Sequence, residues 1–351
     1  MPLAIDRHVR IWGAGRKHGK LRVTSQRDGV EIQNECAIDS AVRFTGENVW
    51  MNYIAGVVTV YREAAIPIQG LDLYIESNLP SGAGLSSSAA LETATALAIE
   101  AVAGIDLDPR RRAQLCRKAE HAYAGVPCGI MDQMAVGLAQ EDHVMLLNCH
   151  DETFEHVPFP DKLAILVCDT GLKHALGDGE YRRRKEECEE ALELLGESEW
   201  RHASQGKVQT YAEARKLPSI LARRAMHVVT EMQRVHSMEK ALRVKDRSSM
   251  RAIMHAGHQS LRRNFEVSCE ELDVLVEAAY GDEFSDVLAG ARMTGGGFGG
   301  ATVNLVSRDQ IDRFRAHLEQ TFFDAFGRQL NCHLVRPSGP ATCQTIHLSS
   351  P

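Results

Sequence analysis

The stretch Pro80-Ser81-Gly82-Ala83-Gly84-Leu85-Ser86-Ser87-Ser88-Ala89-Ala90 constrains this chain more than any other. Two glycines and three consecutive hydroxyls give way abruptly to helix formers. Upstream, Leu71, Leu73 and Ile75 alternate with polar residues, as in a half-buried strand. Downstream, Leu91, Ala94, Leu97, Ala98 and Ala101 recur at helical spacing. The stretch therefore predicts a strand, a glycine-serine loop and a helix. Such a loop leaves backbone N–H groups at a helix N-terminus, where the dipole also favours negative charge. Phosphate is the natural ligand, and the serines can add hydroxyl donors or a magnesium ligand. A merely capped helix is the competing reading of the loop alone. No lysine follows Gly84, so this is not a G-x-x-x-x-G-K-[ST] loop, and Ser87 replaces the third glycine of a dinucleotide fingerprint.

With 351 residues the chain can bury a large core, and its length predicts two domains. A formal net charge of -7 disfavours nucleic acid or an anionic membrane as the main partner, but not a nucleotide held by a local loop. The first residues carry no apolar h-region, and no apolar run approaches the ~18 residues of a spanning helix. The nine cysteines are scattered without a C-x-x-C pair. They fit a reducing cytoplasm and are expected to serve as small core residues.

Along the chain, residues 1–12 read as a strand, and Leu21 to Thr24 and Val30 to Ile32 as further strands about a turn at Asp28-Gly29. Trp50 opens a helix through Tyr61, where Trp50 and Tyr53 suit a buried face. Asp108-Pro109 starts another helix as N-cap and first-turn proline. Arg110, Arg111 and Arg112 read as its solvated face. Glu120 falls in its last turn, an unfavourable place for an anion and so a hint of another use. Gly125 to Gln133 sets a tight turn before a helix that contains Asp132. His143 to Cys149 and Leu163 to Cys168 read as buried strands. The basic run Arg182 to Lys185 and the glutamates after it read as a solvated helix laced with i,i+4 pairs. Five glycines in the six positions Gly295 to Gly300 cannot sit in a regular element without entropic cost, and let a backbone or ligand approach closely.

The triple-serine loop resembles the second motif of the GHMP kinases, and within them looks most like that of the galactokinases. Cys128 to Gln133 resembles the segment that carries the family's catalytic aspartate. Met293 to Gly300 resembles the third motif. The spacing agrees too: 32 residues separate Ser88 from Glu120, and 12 separate Glu120 from Asp132. The resemblance implies an α+β, two-domain fold with a ribosomal-protein-like half over residues 1–160 and a ferredoxin-like half over 161–351. It implies nucleotide and sugar bound in the cleft between the halves.

The resemblance also assigns roles. Pro80, Gly82, Ala83, Gly84, Leu85, Ser86, Ser87 and Ser88 would hold ATP, with Trp50 and Tyr53 beside the adenine. Ser88 and Glu120 would hold Mg2+, and Asp132 would act as base. Asp132, Tyr181, Gly129 and Gly297 would contact the sugar. The implied reaction is phosphoryl transfer from ATP to the anomeric hydroxyl of galactose, in a cytoplasmic monomer. The family's first motif, an Arg with a Gly-Glu-His-Thr-Asp run, has no counterpart in these residues, and the chain begins just after it. Either the start codon is placed too late or the piece is truly missing. The 351-residue chain is therefore expected to bind ATP weakly and turn over poorly, and an upstream-extended one to behave ordinarily. The rival readings are a kinase for arabinose, galacturonate or N-acetylgalactosamine, and a non-catalytic galactokinase-like sensor. A nicotinamide dehydrogenase is more distant.

Overall fold

In the computed structural model, residues 1–27, 30–40, 42–80, 84–173 and 177–346 are described. They form two units. Unit 1 comprises residues 1–81, 86–156 and 337–351, and unit 2 comprises residues 82–85 and 157–336.

Unit 1 is built on strands β1 (Ala4–Ile5), β2 (Val9–Arg16), β3 (Lys20–Arg27) and β4 (Val30–Ala37), helix α1 (Met51–Glu63) and strand β5 (Gly70–Ser77). Helices α2 (Ser87–Ala103), α3 (Pro109–Ala119) and α4 (Met131–Leu138) follow, then the hairpin β6 (His143–Asn148) and β7 (Thr153–Pro158). The main sheet has the order β2-β5-β3-β4, with β3 and β5 parallel. Leu21 and Val23 of β3 and Leu71, Leu73 and Ile75 of β5 supply its buried face. Ile54, Val57 and Tyr61 of α1 and Ala96 and Ile99 of α2 cover that face, because their apolar residues recur at helical spacing. The alanines of α2 let it lie close to the sheet: a Cβ on Gly13 would stand 3.3 Å from that of Ala98.

In unit 2, β8 (Leu163–Lys173) leads to α5 (Gly177–Leu194), α6 (Gln205–Glu213), α7 (Ser219–Arg243), α8 (Arg247–Ser260) and α9 (Glu270–Ala279). Then come β9 (Leu288–Thr294), β10 (Gly299–Ser307), α10 (Ile311–Phe326) and β11 (Asn331–Val335). The antiparallel sheet has the order β11-β8-β10-β9. With α9 and α10 it gives the β-α-β-β-α-β pattern of a ferredoxin-like half. The chain then returns to unit 1, where β12 (Pro337–Ser338) pairs with β1. A single boundary near residue 160 does not contain that return.

Several expectations from sequence need correction. The first twelve residues are two strands with a break between them, where the His8 N–H donates to Asn78 Oδ1 at 2.7 Å. Arg110 and Arg111 are exposed, but Arg112 is not on the solvated face. It is 5% exposed and forks onto Glu100, at 2.9 Å from Nε and 2.6 Å from Nη2. Arg184 likewise leaves the solvated face of α5, donating to the Phe265 carbonyl at 2.6 Å and to Glu187 at 3.0 Å. Cys149 and Cys343 are exposed and so are not core residues. The expected turn at Asp28-Gly29 lies outside the described residues. Among those residues, no helix is long and apolar enough to cross a membrane.

Candidate functional site

The site in unit 1 grows from the N-terminus of α2. Ser86 occupies its N-cap position in the left-handed region, at φ 53 and ψ 43. That conformation costs a non-glycine residue about 1–2 kcal/mol. An N-cap serine ordinarily turns its hydroxyl back onto the helix N–H groups. Ser86 does not: among the described residues, no side chain caps α2. Instead its Oγ donates to Asp132 Oδ2 at 2.7 Å. The first N–H groups of α2, from Ser87, Ser88 and Ala89, have no described acceptor. They present the dipole's positive end, which suits an anion.

Helices α3 and α4 set the acidic side. Ala113, Ile130, Met134 and Met145 form a small buried cluster that packs α4 against α3. Asp108 caps α3 by accepting from the Arg110 and Arg111 N–H groups at 3.0 and 3.2 Å. At its other end, α3 runs into a π-helical turn over Glu120–Ala124, stopped by Gly125 at φ 76. Such turns are frequent at functional sites. Here the turn carries Glu120, whose side chain is buried although the helix end disfavours it. Its Oε2 accepts from Gln133 Nε2 at 2.7 Å and from the Cys128 thiol at 3.1 Å. Burial and this bond to Glu120 push the Cys128 thiol up. Glu120 Oε1 accepts from no described residue.

Asp132 lies in the first turn of α4, half-buried, and Gln133 beside it is buried. Two links tie these elements of unit 1 together, Ser86 to Asp132 and Gln133 to Glu120, while Ser88 lies in the first turn of α2. Gly129 is exposed, and a Cβ there would meet nothing within 4 Å. Trp50 is the N-cap of α1 and packs on the edge of the unit 1 core, with Tyr53 half-buried one turn on. Between them in sequence, Asn52 closes a ring with Phe44, accepting from its N–H at 2.8 Å and donating to its carbonyl at 2.9 Å.

Unit 2 holds the other glycine motif. Gly84 has φ 66, and a Cβ on it would stand 3.5 Å from Gly295 Cα. The two glycine runs therefore touch backbone to backbone. Gly297 has φ 88, and a Cβ there would collide with the Val267 carbonyl oxygen, to which the Phe298 N–H donates at 2.7 Å. Pro80 and Leu85 are half-buried. Gly82 and Ala83 lie outside the described residues, as does the side chain of Tyr181, whose backbone lies in α5.

Hard oxygen donors suit Mg2+, which keeps few protein ligands and shares substrate phosphates. The Glu120 carboxylate, with one oxygen anchored, and the Ser88 hydroxyl are donors of that kind. Among the described residues, no three His, Cys, Asp or Glu side chains converge on a common point.

Sequence reasoning missed three contacts here: Ser86 as the partner of Asp132, Gln133 as the partner of Glu120, and Glu92. Glu92 was legible in principle. It shares a helix face with Ala89 and Ala96, both buried, so periodicity places a carboxylate in the core.

Two family models match the chain: the GHMP kinases N terminal domain over residues 52–140 and the GHMP kinases C terminal over residues 238–324. The galactokinase of Chloroflexus aurantiacus is 37% identical over 352 residues, covering 97% of this chain and 87% of that protein. The galactokinase of Bos taurus is 37% identical over 328 residues, covering 92% and 82%. The crystal structure of Lactococcus lactis galactokinase complexed with galactose superposes with a TM-score of 0.89 at 27% identity, covering 97% of this chain and 88% of the other. A mevalonate kinase shares the fold at a TM-score of 0.61 and 16% identity. By sequence and fold together, the chain belongs to the galactokinase family of the GHMP kinases.

Proposed function

We propose that the chain transfers the γ-phosphoryl group of ATP to the anomeric hydroxyl of galactose, giving galactose 1-phosphate and ADP. The observation that carries this is the gathering of Ser86, Asp132, Gln133 and Glu120 by two hydrogen bonds beside an uncapped helix N-terminus. It fits a reaction that depends on positioning and charge neutralisation. The sugar hydroxyl oxygen attacks the γ-phosphorus, the bond to the β–γ bridging oxygen breaks, and that oxygen leaves with its electron pair on ADP. The hydroxyl proton goes to Asp132. Ser86 orients the Asp132 carboxylate through its 2.7 Å bond. The N–H groups at the start of α2 and the loop Pro80 to Leu85 take the phosphates, with Trp50 and Tyr53 toward the adenine. Glu120 and Ser88 hold Mg2+, which when bound neutralises phosphate charge. Tyr181, Gly129 and Gly297 are the remaining sugar contacts in this reading.

Incubating the protein with ATP and, in turn, galactose, arabinose, galacturonate and N-acetylgalactosamine, and following the sugar 1-phosphate by phosphorus NMR, tests the proposal. Galactose is the preferred acceptor, and Asp132→Asn slows product formation by roughly 10²–10⁴-fold. Faster turnover of another sugar replaces galactose in the reading. We also propose a cytoplasmic monomer: all nine cysteines are free thiols, as in a reducing compartment, and light scattering measures the mass.

A further inference from the structure

We propose that Glu92 and Gln133 form an acid–amide clamp that positions the Glu120 carboxylate. This rests on the reading of Glu120 as a magnesium ligand and adds a residue that touches neither metal nor substrate.

The three side chains are all buried, with Glu92 0%, Gln133 1% and Glu120 4% exposed. A primary amide has two N–H donors and one carbonyl oxygen. Gln133 spends its donors on two carboxylates, Glu120 Oε2 at 2.7 Å and Glu92 Oε2 at 3.2 Å. What remains is Glu92 Oε1 and Gln133 Oε1, both buried and, among the described residues, without a hydrogen-bond partner. As two acceptors they can do nothing for each other, and buried polar atoms are rarely left so. One proton on Glu92 Oε1 satisfies both. The acid O–H then donates to Gln133 Oε1 while Gln133 Nε2 donates to Glu92 Oε2, which closes a two-bond ring between acid and amide.

The surroundings favour that state. Burial pushes the Glu92 carboxyl up to about 9, and the nearby charges of Glu120 and Asp132 push the same way, against the lowering pull of the bond from Gln133. The ring fixes which end of the Gln133 amide faces Glu120. An unclamped amide can turn over and set its carbonyl oxygen against the carboxylate. The clamped one keeps an N–H on Glu120 Oε2 and leaves the other carboxylate oxygen for the cation. Glu92 is thus a positioning residue.

The test uses the full chain with ADP and Mn2+ in place of Mg2+, and measures free Mn2+ by electron paramagnetic resonance. Glu92→Gln preserves the ring as an amide pair, so Mn2+ affinity stays within about threefold of the parent. Glu92→Leu breaks the ring, so Mn2+ affinity falls by roughly tenfold or more, while calorimetric galactose affinity is unchanged. Should Glu92→Leu fail to fold by circular dichroism, Gln133→Met carries the same expectation from the other side. A leucine variant that binds Mn2+ like the parent, or a glutamine variant as damaged as the leucine one, overturns the clamp. Glu120→Gln separates the two levels. If it leaves Mn2+ affinity intact, the ligand reading itself fails, whereas loss there with none in Glu92→Leu sinks only the clamp.

Discussion

Ser86 Oγ donates to Asp132 Oδ2 at 2.7 Å, from a residue held in the left-handed region at φ 53. The hydroxyl that would cap α2 has been turned onto the proposed base, so capping is given up for orientation. Removing the base by Asp132→Asn is expected to lower kcat by roughly 10²–10⁴-fold. Ser86→Ala keeps the base but frees it, and is expected to lower kcat by about tenfold with galactose KM little changed. Steady-state kinetics on both variants checks the order of the two effects.

Arg112 and Glu100 form a buried, forked ion pair, 6% and 3% exposed at their side chains, to which Tyr61 adds a 2.7 Å hydrogen bond. Breaking such a pair from one side leaves an uncompensated buried charge, at about 3–5 kcal/mol. Arg112→Met is expected to lower unfolding stability in urea by that amount. Arg112→Met with Glu100→Leu is expected to recover most of it, because the orphaned carboxylate is gone.

His227 gives the fold of unit 2 an acid limit. Its ring stacks on Phe265 at 4.4 Å and bonds Ser260 Oγ at 3.0 Å. Burial lowers its pKa from 6.5 to about 4, against the pull of Glu231 and with the push of Arg234, Arg292 and Arg224. The unfolded chain therefore binds a proton near pH 6.5 that the folded one refuses until about pH 4. Stability is full above pH 6.5 and falls across that window, by on the order of 3 kcal/mol in all. His227→Gln is expected to flatten this part of the stability curve in urea titrations between pH 7 and about pH 4.

Gly297 faces the Val267 carbonyl at φ 88, so a methyl there meets both steric collision and the wrong backbone region. Gly297→Ala is expected to destabilise by about 2–4 kcal/mol in chemical denaturation. The proposed sugar contact alone would leave stability unchanged, so the measurement separates packing from binding at this position.

Much of this was legible in the chain itself. The strand-loop-helix about Pro80 to Ala90 follows from a change of period and from helix formers after serines, both local signals. Asp108-Pro109 marked the start of α3 because cap chemistry is local too. What stayed hidden was set by tertiary partners. Nothing near Arg112 in sequence says that Glu100 and Tyr61 wait for it in the core, so a run of three arginines reads as surface. Nothing local tells Ser86 to bond a residue 46 positions away rather than cap its helix. The two-residue strand β1 is too short for any periodicity, and exists only because β12 comes back to meet it.

That return has a consequence in time. The Ala341 N–H donates at 2.8 Å to the carbonyl of Val136, in the helix that carries Asp132. Between those residues in the chain lies the whole of residues 157–336. On the ribosome, that uninterrupted module is complete before the earlier-made half receives its closing strand. The helix bearing the proposed base, already packed on α3, therefore gains this one hydrogen bond only after the chain has passed Ala341.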